Sequence, residues 1–322
     1  MEKKRVLITG IGGQLGSYCA DKFLEENYKI YGITRYTTTE NKLKNIQHII
    51  KDIELLQGDI LDTSFLNRSI STIKPHIIIN CAAMSHVHKS FEIPIATANI
   101  TGISVLNILE AIRSSNFNSK FLQFSTSELF GNTTQVPQDE NTPFSPRSPY
   151  GVAKLFGHHI TKNYRESYNM FACCAIVYNS ESPRRGEDFV TKKIVKGAVE
   201  IYKGTRKVLE LGNLNSSRDW VSSKDTIEGI YKQIHHTYPD EFVFSTGKTH
   251  SINDFLNKVF KKLNIEIEKY VKINHLLFRP AEVNVLCGNS EKAKKILDWS
   301  PKFSLDDIIE DMVNCELSSY DG

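Results

Sequence analysis

The sequence predicts an α/β chain built on a doubly wound parallel sheet, followed by a smaller mixed α/β part. Three observations carry this. Short apolar runs alternate with helical patterns through the first half. Those runs are apolar nearly throughout, as strands covered on both faces are. The first run also leads straight into a turn with three spaced glycines and then into a helix.

The elements follow in order. Arg5–Thr9 reads as a buried strand, and a helix runs from about Leu15 to Asn27. Lys29–Ile33 is the second strand and Leu55–Gly58 the third, with Asp59 just after it. Pro75 leads into the fourth, Ile77–Cys81. Over Ala96–Ser114 the apolar residues Ile100, Ile103, Leu106, Leu109 and Ile112 recur at helical spacing. Lys120–Ser125 is the fifth strand, Gly151–Tyr168 a helix and Phe171–Tyr178 the sixth strand. Right-handed crossovers then wind the sheet doubly, in the Rossmann manner. The second half holds a Pro-Arg-Arg-Gly loop, helices near Val190–Tyr202 and Lys224–Tyr238, and the strand Glu241–Ser245. Helices near Ile252–Leu263, Glu291–Leu297 and Leu305–Leu317 complete it. Such a segment caps the carboxyl ends of the strands, where ligands bind. The expected division is one unit of residues 1–178 plus about 214–247, and a ligand-capping unit of about 179–213 plus 248–322.

Composition narrows the classes. With 322 residues, 40% hydrophobic and 24% charged, the chain is neither disordered nor collagen-like. Lys plus Arg is 40 against 37 for Asp plus Glu, and a net +3 predicts no nucleic-acid or membrane surface. Any anion must be held by local arrangement. The six cysteines form no CxxC pair and no zinc spacing, so we expect no metal site and a reduced, cytoplasmic chain. Met-Glu-Lys-Lys-Arg followed by Val6-Leu7-Ile8 predicts no signal peptide. No 18 apolar residues run together, so no membrane span is expected. The neighbours His158-His159 and His235-His236 face apart on a helix and read as packing or surface residues.

The glycine turn points to a dinucleotide. Gly10, Gly13 and Gly16 stand three apart after the first strand. The chain must turn tightly there, admit a pyrophosphate to its backbone and pack a helix against the strand, and each need favours a residue without Cβ. The helix N-terminus then offers free N–H groups to the phosphates. The second strand ends in Gly32-Ile33-Thr34-Arg35-Tyr36, with no acid to hold a ribose 2′-hydroxyl. The fork of Arg35 suits a 2′-phosphate, which favours NADP over the alternative NAD. Asp59-Ile60 is placed to touch the adenine.

A second cluster carries chemistry. Tyr150 and Lys154 lie four apart at a helix start and share one face. A free phenol ionises near pH 10, and a neighbouring ammonium with an oxidised nicotinamide would lower that value. Tyr150 could then act as a base on a hydroxyl. Thr126, at a strand end, can hydrogen-bond the same oxygen. Glu128 follows in Ser125-Thr126-Ser127-Glu128-Leu129-Phe130-Gly131. Exchange of hydride between a carbinol and a nicotinamide needs only Tyr, Lys and Ser/Thr, so an added carboxylate suggests removal of a carbon-bound proton.

These residues resemble those of the extended short-chain dehydrogenase/reductases, and among them the GDP-mannose 4,6-dehydratase family. The resemblance rests on Thr9–Tyr18, Ser85-His86-Val87, Ser125–Gly131, Thr142–Lys154, Asn179–Lys193, Leu211–Trp220 and Arg279–Val283, and it spans essentially the whole chain. The ESPRRG and LGNL…RDW segments are far more specific than the superfamily signatures. It implies catalysis by Thr126, Glu128, Tyr150 and Lys154. It implies cofactor binding by Gly10, Gly13, Gln14, Gly16, Arg35, Asp59, Ile60, Ala82 and Arg184, with Tyr150 and Lys154. It implies sugar-nucleotide binding by Ser85, Asn179, Val190, Lys193, Arg218, Arg279 and Glu282. The cations among these suit a diphosphate. Arg185 lies beside Arg184 in a loop that approaches the cofactor.

Two departures stand out. The family usually follows Arg35 with a second arginine in a loop that reaches a neighbouring subunit, and here Tyr36 takes that place. The segment Lys262–Phe278 is shorter than in many members. The implied reaction turns GDP-mannose, or a relative such as GDP-N-acetylglucosamine or a GDP-heptose, into its 4-keto-6-deoxy form plus water by internal hydride transfer through bound NADP. A homodimer or homotetramer is implied. A nucleotide-sugar epimerase and a non-catalytic dinucleotide sensor are the alternatives. Glu128 argues against the first and an intact Thr126, Tyr150 and Lys154 against the second.

Overall fold

A computed structural model describes residues 3–35, 40–115, 117–278 and 281–321. Its centre is a seven-stranded sheet. The first six strands are β1 (Arg5–Thr9), β2 (Lys29–Thr34), β3 (Ile53–Gln57), β4 (Ile77–Asn80), β5 (Lys120–Thr126) and β6 (Ala172–Val177), and Phe242–Phe244 is the seventh. Their order across the sheet is β3, β2, β1, β4, β5, β6, Phe242–Phe244, and every pairing is parallel. The chain leaves β1 in one direction and returns to β4 on its other side. The order reverses there, which opens a crevice at the carboxyl ends of β1 and β4.

Successive side chains of a strand point to opposite faces, and the sequence is apolar at both. Val6 and Ile8 enter one core with Ile77, Ile79, Leu122, Phe124, Cys173 and Ala175. Leu7 enters the other with Ile78, Phe121 and Ala172. Helices α1 (Gln14–Glu25) and α8 (Ser223–His235) cover the first face. Helices α2 (Thr63–Ile73) and α5 (Ser104–Ser114) cover the second. Burying each such aliphatic side chain contributes roughly 1.5–3 kcal/mol.

Several elements differ from the expected ones. Helix α2 was not anticipated, because Ser and Thr dilute its apolar stripe. Leu66, Ile70 and Ile73 nonetheless bury one face, and the Asp62 carboxylate caps the helix by accepting from Phe65 N–H at 3.0 Å. The expected helix Ala96–Ser114 begins at Pro94, as α4 (Pro94–Ala98), and passes through a wider turn at Asn99–Ile103 before α5. Among the described residues Pro94–Ser114 is long and apolar enough to cross a membrane, but half of it is buried, and it packs on α2 and α6 (Pro149–Tyr168). Proline at the first position of α6 and a Ser148 cap that accepts from Gly151 N–H at 3.0 Å start that helix just before Tyr150.

A separate core lies beyond β6. Helix α7 (Val190–Tyr202), helix α9 (Ile252–Lys262) and the C-terminal helix Leu305–Asp321 meet through Ile194, Ala198, Phe255, Val259, Ile309 and Met312. Short strands missed from the sequence pin the connecting loops. Leu209–Leu211 pairs with Val271–Ile273, and Ser217–Arg218 pairs with His250–Ser251 and Val285–Leu286. The helix Glu291–Leu297 turns back to the sheet, where Trp299 meets Phe244 edge-on at 5.0 Å.

Candidate active site

One cleft of about 1350 Å³ opens along the carboxyl ends of the strands. That exceeds the usual few hundred Å³ to about 1,000 Å³ of a single small-ligand site. Every candidate site residue named from the sequence lines it, except Arg279, which lies outside the described residues, as does Tyr36.

The glycine turn forms one end. Gly10 has φ +65°, and a Cβ there would lie 2.9 Å from the Ala82 nitrogen. A Cβ on Gly16 would lie 2.3 Å from the Gly10 carbonyl oxygen. Both positions therefore demand glycine, and the α1 N-terminus faces the cleft bare, the cradle a pyrophosphate needs. Gln14 ties this turn across the cleft by donating to the Ser180 carbonyl and accepting from the Ser182 hydroxyl, both at 2.8 Å. Thr9 accepts from Ala82 N–H at 3.1 Å, which locks the β1 and β4 ends together. Arg35 stands exposed at the end of β2, with Asp59 and Ile60 beyond β3. The residues present fit a nicotinamide dinucleotide.

The floor is built from β5 and α6. Thr126 ends β5 and caps the following turn, its hydroxyl accepting from Glu128 N–H at 3.3 Å. Glu128 is 8% exposed, Tyr150 7% and Lys154 3%. A solvent-facing glutamate is thereby ruled out for Glu128. A Cβ on Gly151 would lie 3.0 Å from the Glu128 carbonyl oxygen, so α6 sits directly on this turn. Lys154 Nζ donates to the Phe124 carbonyl at 2.7 Å and lies 6.0 Å from the Tyr150 ring centroid. His158 backs the floor, its Nδ1 2.9 Å from the Ser125 hydroxyl, and burial brings its pKa down to about 4.

The expected lowering of the Tyr150 pKa is not found in the protein itself. Burial pushes the phenol up to about 12. The Thr126 hydroxyl and the Arg185 charge pull it down, while Glu128 adds to the rise. Burial also brings Lys154 down to about 8. Desolvation outweighs the local charges at both groups.

The other end carries cations. Arg218 donates to the Ser217 carbonyl at 2.9 Å and to Glu282 at 3.1 Å. Two candidate substrate residues thus form one partly buried ion pair. Asp219 does not pair with Arg218 but anchors loops, accepting from Thr246 N–H, Gly247 N–H and Gly288 N–H at 2.9–3.2 Å. Lys193 is partly buried, which lowers its pKa, and the Arg206 charge lowers it further. Val190, Asn179 and Ser85 also line the cleft.

The two loop arginines separate. Arg184 is bound to Asp21 at 2.6 Å and Ser17 at 3.1 Å, with its guanidinium 4.1 Å from the centre of the Tyr18 ring. Arg185 instead stacks on Phe189 at 3.7 Å, sits 3.3 Å from Glu181 and acts on Tyr150. From the sequence Arg184 was placed on the cofactor and Arg185 only in the same loop, His86 only in a shared segment, and Glu181 had no site assignment. The doubled arginine was the only signal for Arg185.

Comparison with known proteins identifies the family and the fold. The family model described as GDP-mannose 4,6 dehydratase matches residues 7–312. GDP-mannose 4,6 dehydratase of Drosophila melanogaster is 40% identical, covering 98% of this chain and 86% of that protein. GDP-mannose 4,6-dehydratase of Vibrio cholerae is 39% identical, covering 98% and 94%. In fold, the chain is similar to dTDP-glucose 4,6-dehydratase from Bacillus anthracis in complex with NAD, with a TM-score of 0.87 and 21% identity over 99% and 98% of the two chains. RMD from Pseudomonas aeruginosa complexed with NADPH gives 0.82 and 19%, over 98% and 100%. A family model over residues 7–312 and relatives about 40% identical across nearly the whole chain make this chain a member of the GDP-mannose 4,6-dehydratase family of hydro-lyases.

Proposed function

We propose that this chain removes water from GDP-mannose, or from a close relative such as GDP-N-acetylglucosamine or a GDP-heptose, to give the GDP-4-keto-6-deoxy sugar. One observation carries the reading: a buried carboxylate, Glu128, stands beside Tyr150 and Thr126 on the cleft floor. Tyr150 accepts the proton of the C4 hydroxyl while Thr126 holds the same oxygen. A ketone at C4 makes the C5 hydrogen acidic. Glu128 takes that proton and delivers a proton to the departing C6 hydroxyl, which leaves as water, and Tyr150 returns its proton to C5 as C6 takes up hydride. A nicotinamide dinucleotide in the glycine cradle supplies the acceptor and later donor of hydrogen, and its oxidised ring brings a positive charge that favours ionised Tyr150. Lys154 adds a second positive charge beneath the phenol ring. Arg218, steadied by Glu282, and Lys193 hold the diphosphate, with Arg279 as a further partner.

Arg35 at the end of β2 supports NADP over NAD. A homodimer or homotetramer is supported by an exposed apolar face on α6 and its neighbour, made of Val152, Phe156, Ile95 and Ile103. Six free thiols suit the reducing cytoplasm. The helical core beyond β6, apart from the two on the sheet, supports a two-part division, with 179–213 and 248–322 forming the smaller part and Glu291–Leu297 staying on the sheet.

The test is to incubate the enzyme with GDP-mannose and, separately, GDP-N-acetylglucosamine, and weigh the products. The reading expects loss of one water from at least one of them. An isomer of unchanged mass would favour an epimerase, and unchanged substrate a sensor.

A further inference from the structure

His86 lies on the cleft wall and has no part in the chemistry above, yet both its ring nitrogens are engaged. It caps the short helix α3 (Val87–Glu92), where Nδ1 accepts from Lys89 N–H at 3.1 Å. An accepting Nδ1 places the proton of the neutral ring on Nε2. Nε2 in turn donates to the Asp188 carbonyl at 3.2 Å, across 102 residues of sequence. The ring also meets Phe189 edge-on at 5.6 Å.

That contact falls on a sensitive spot. Phe189 is the residue before α7, and its carbonyl accepts from Lys193 N–H at 2.8 Å. Arg185 stacks on the same phenyl ring. One imidazole from the β4 side therefore fixes the turn that presents Val190, Lys193 and Arg185 to the cleft.

We infer that His86 is a positioning residue, a latch from the β4 loop to the start of α7 that sets the sugar-nucleotide wall. The inference rests on the cleft being the GDP-sugar site. It makes no claim on the chemical step.

Two substitutions separate the cap from the latch. His86→Asn places an oxygen near the Nδ1 position and keeps the cap. His86→Gln places an amide nitrogen near the Nε2 position and keeps the latch. Amide exchange at residues 188–193 of the chain without ligands reads the latch directly. It should quicken in His86→Asn and stay as in the unaltered protein in His86→Gln. With GDP-mannose, KM should rise about 3- to 10-fold in His86→Asn, the worth of one net hydrogen bond. Its kcat should hold within about twofold, and His86→Gln should restore KM. Unchanged exchange in His86→Asn overturns the latch whatever the substrate is. Quickened exchange with unchanged KM overturns its role at the sugar wall. If the unaltered enzyme leaves every GDP-sugar intact, the functional reading falls, and the exchange result still decides the latch.

Discussion

Replacing Lys154 by Met should stabilise the protein while ending its activity. The ammonium is buried, and burial brings its pKa from 10.5 to about 8. Between those two values the unfolded chain binds the proton that the folded chain has lost. Stability contributed by this group therefore rises with pH across that window, and the penalty is complete below about pH 8. At about 1.4 kcal/mol per pH unit, the buried charge costs on the order of 3 kcal/mol at pH 7. Met fills similar space without the charge. It gives up the bond to the Phe124 carbonyl, worth about 1 kcal/mol. That carbonyl still accepts from the Gln123 amide at 2.9 Å, so no orphaned acceptor remains. A net gain of about 2 kcal/mol at pH 7 follows, and it should be gone by about pH 10. Thermal unfolding of the ligand-free proteins at pH 7 and pH 10 measures it. A variant less stable at pH 7, or a difference that is the same at both pH values, would refute the reasoning.

Three further substitutions probe the rest of the cleft. Gly16→Ala sets a Cβ 2.3 Å from the Gly10 oxygen, so the turn must move. Overpacking of this kind costs about 1–3 kcal/mol, and dinucleotide affinity measured by calorimetry should fall at least about tenfold. Arg35→Asp should exchange preference for a 2′-phosphate for preference for a 2′-hydroxyl; native cofactor extracted as NAD, or a variant that holds NADP as tightly as before, would count against the NADP assignment. Glu128→Gln should cut water loss by about 10²–10⁴-fold, the usual worth of a general acid–base group. Dehydration that continues at the normal rate in that variant excludes Glu128 as the base.

Local demands were legible in the sequence, and long-range ones were not. Gly10 and Gly16 announce themselves because only glycine tolerates the backbone at one and the close approach at the other. Tyr150 and Lys154 do so because one helical turn joins them. The strands of the sheet were readable to within a residue or two from unbroken apolar runs. The bond from Arg218 to Glu282 spans 64 residues, and it depends on Val285–Leu286 pairing with Ser217–Arg218, a register no local pattern encodes. Nor could neighbouring arginines in one loop be told apart before Asp21 claimed Arg184 and Phe189 claimed Arg185. The raised Tyr150 pKa of the protein without cofactor was hidden for the same reason. The charges near it are visible in the sequence, but its burial is a product of packing.

The central claim is that Tyr150 and Glu128 perform two different proton transfers on one bound sugar. Tyr150→Phe and Glu128→Gln, each loaded with cofactor and mixed with GDP-mannose in heavy water, test it side by side. Transient cofactor reduction and deuterium at C5 would be followed in the same samples. The account predicts neither signal in Tyr150→Phe, because no ketone forms to acidify C5. It predicts reduction without deuterium uptake in Glu128→Gln. Appreciable reduction in a correctly folded Tyr150→Phe protein, or full C5 exchange in Glu128→Gln, would contradict it.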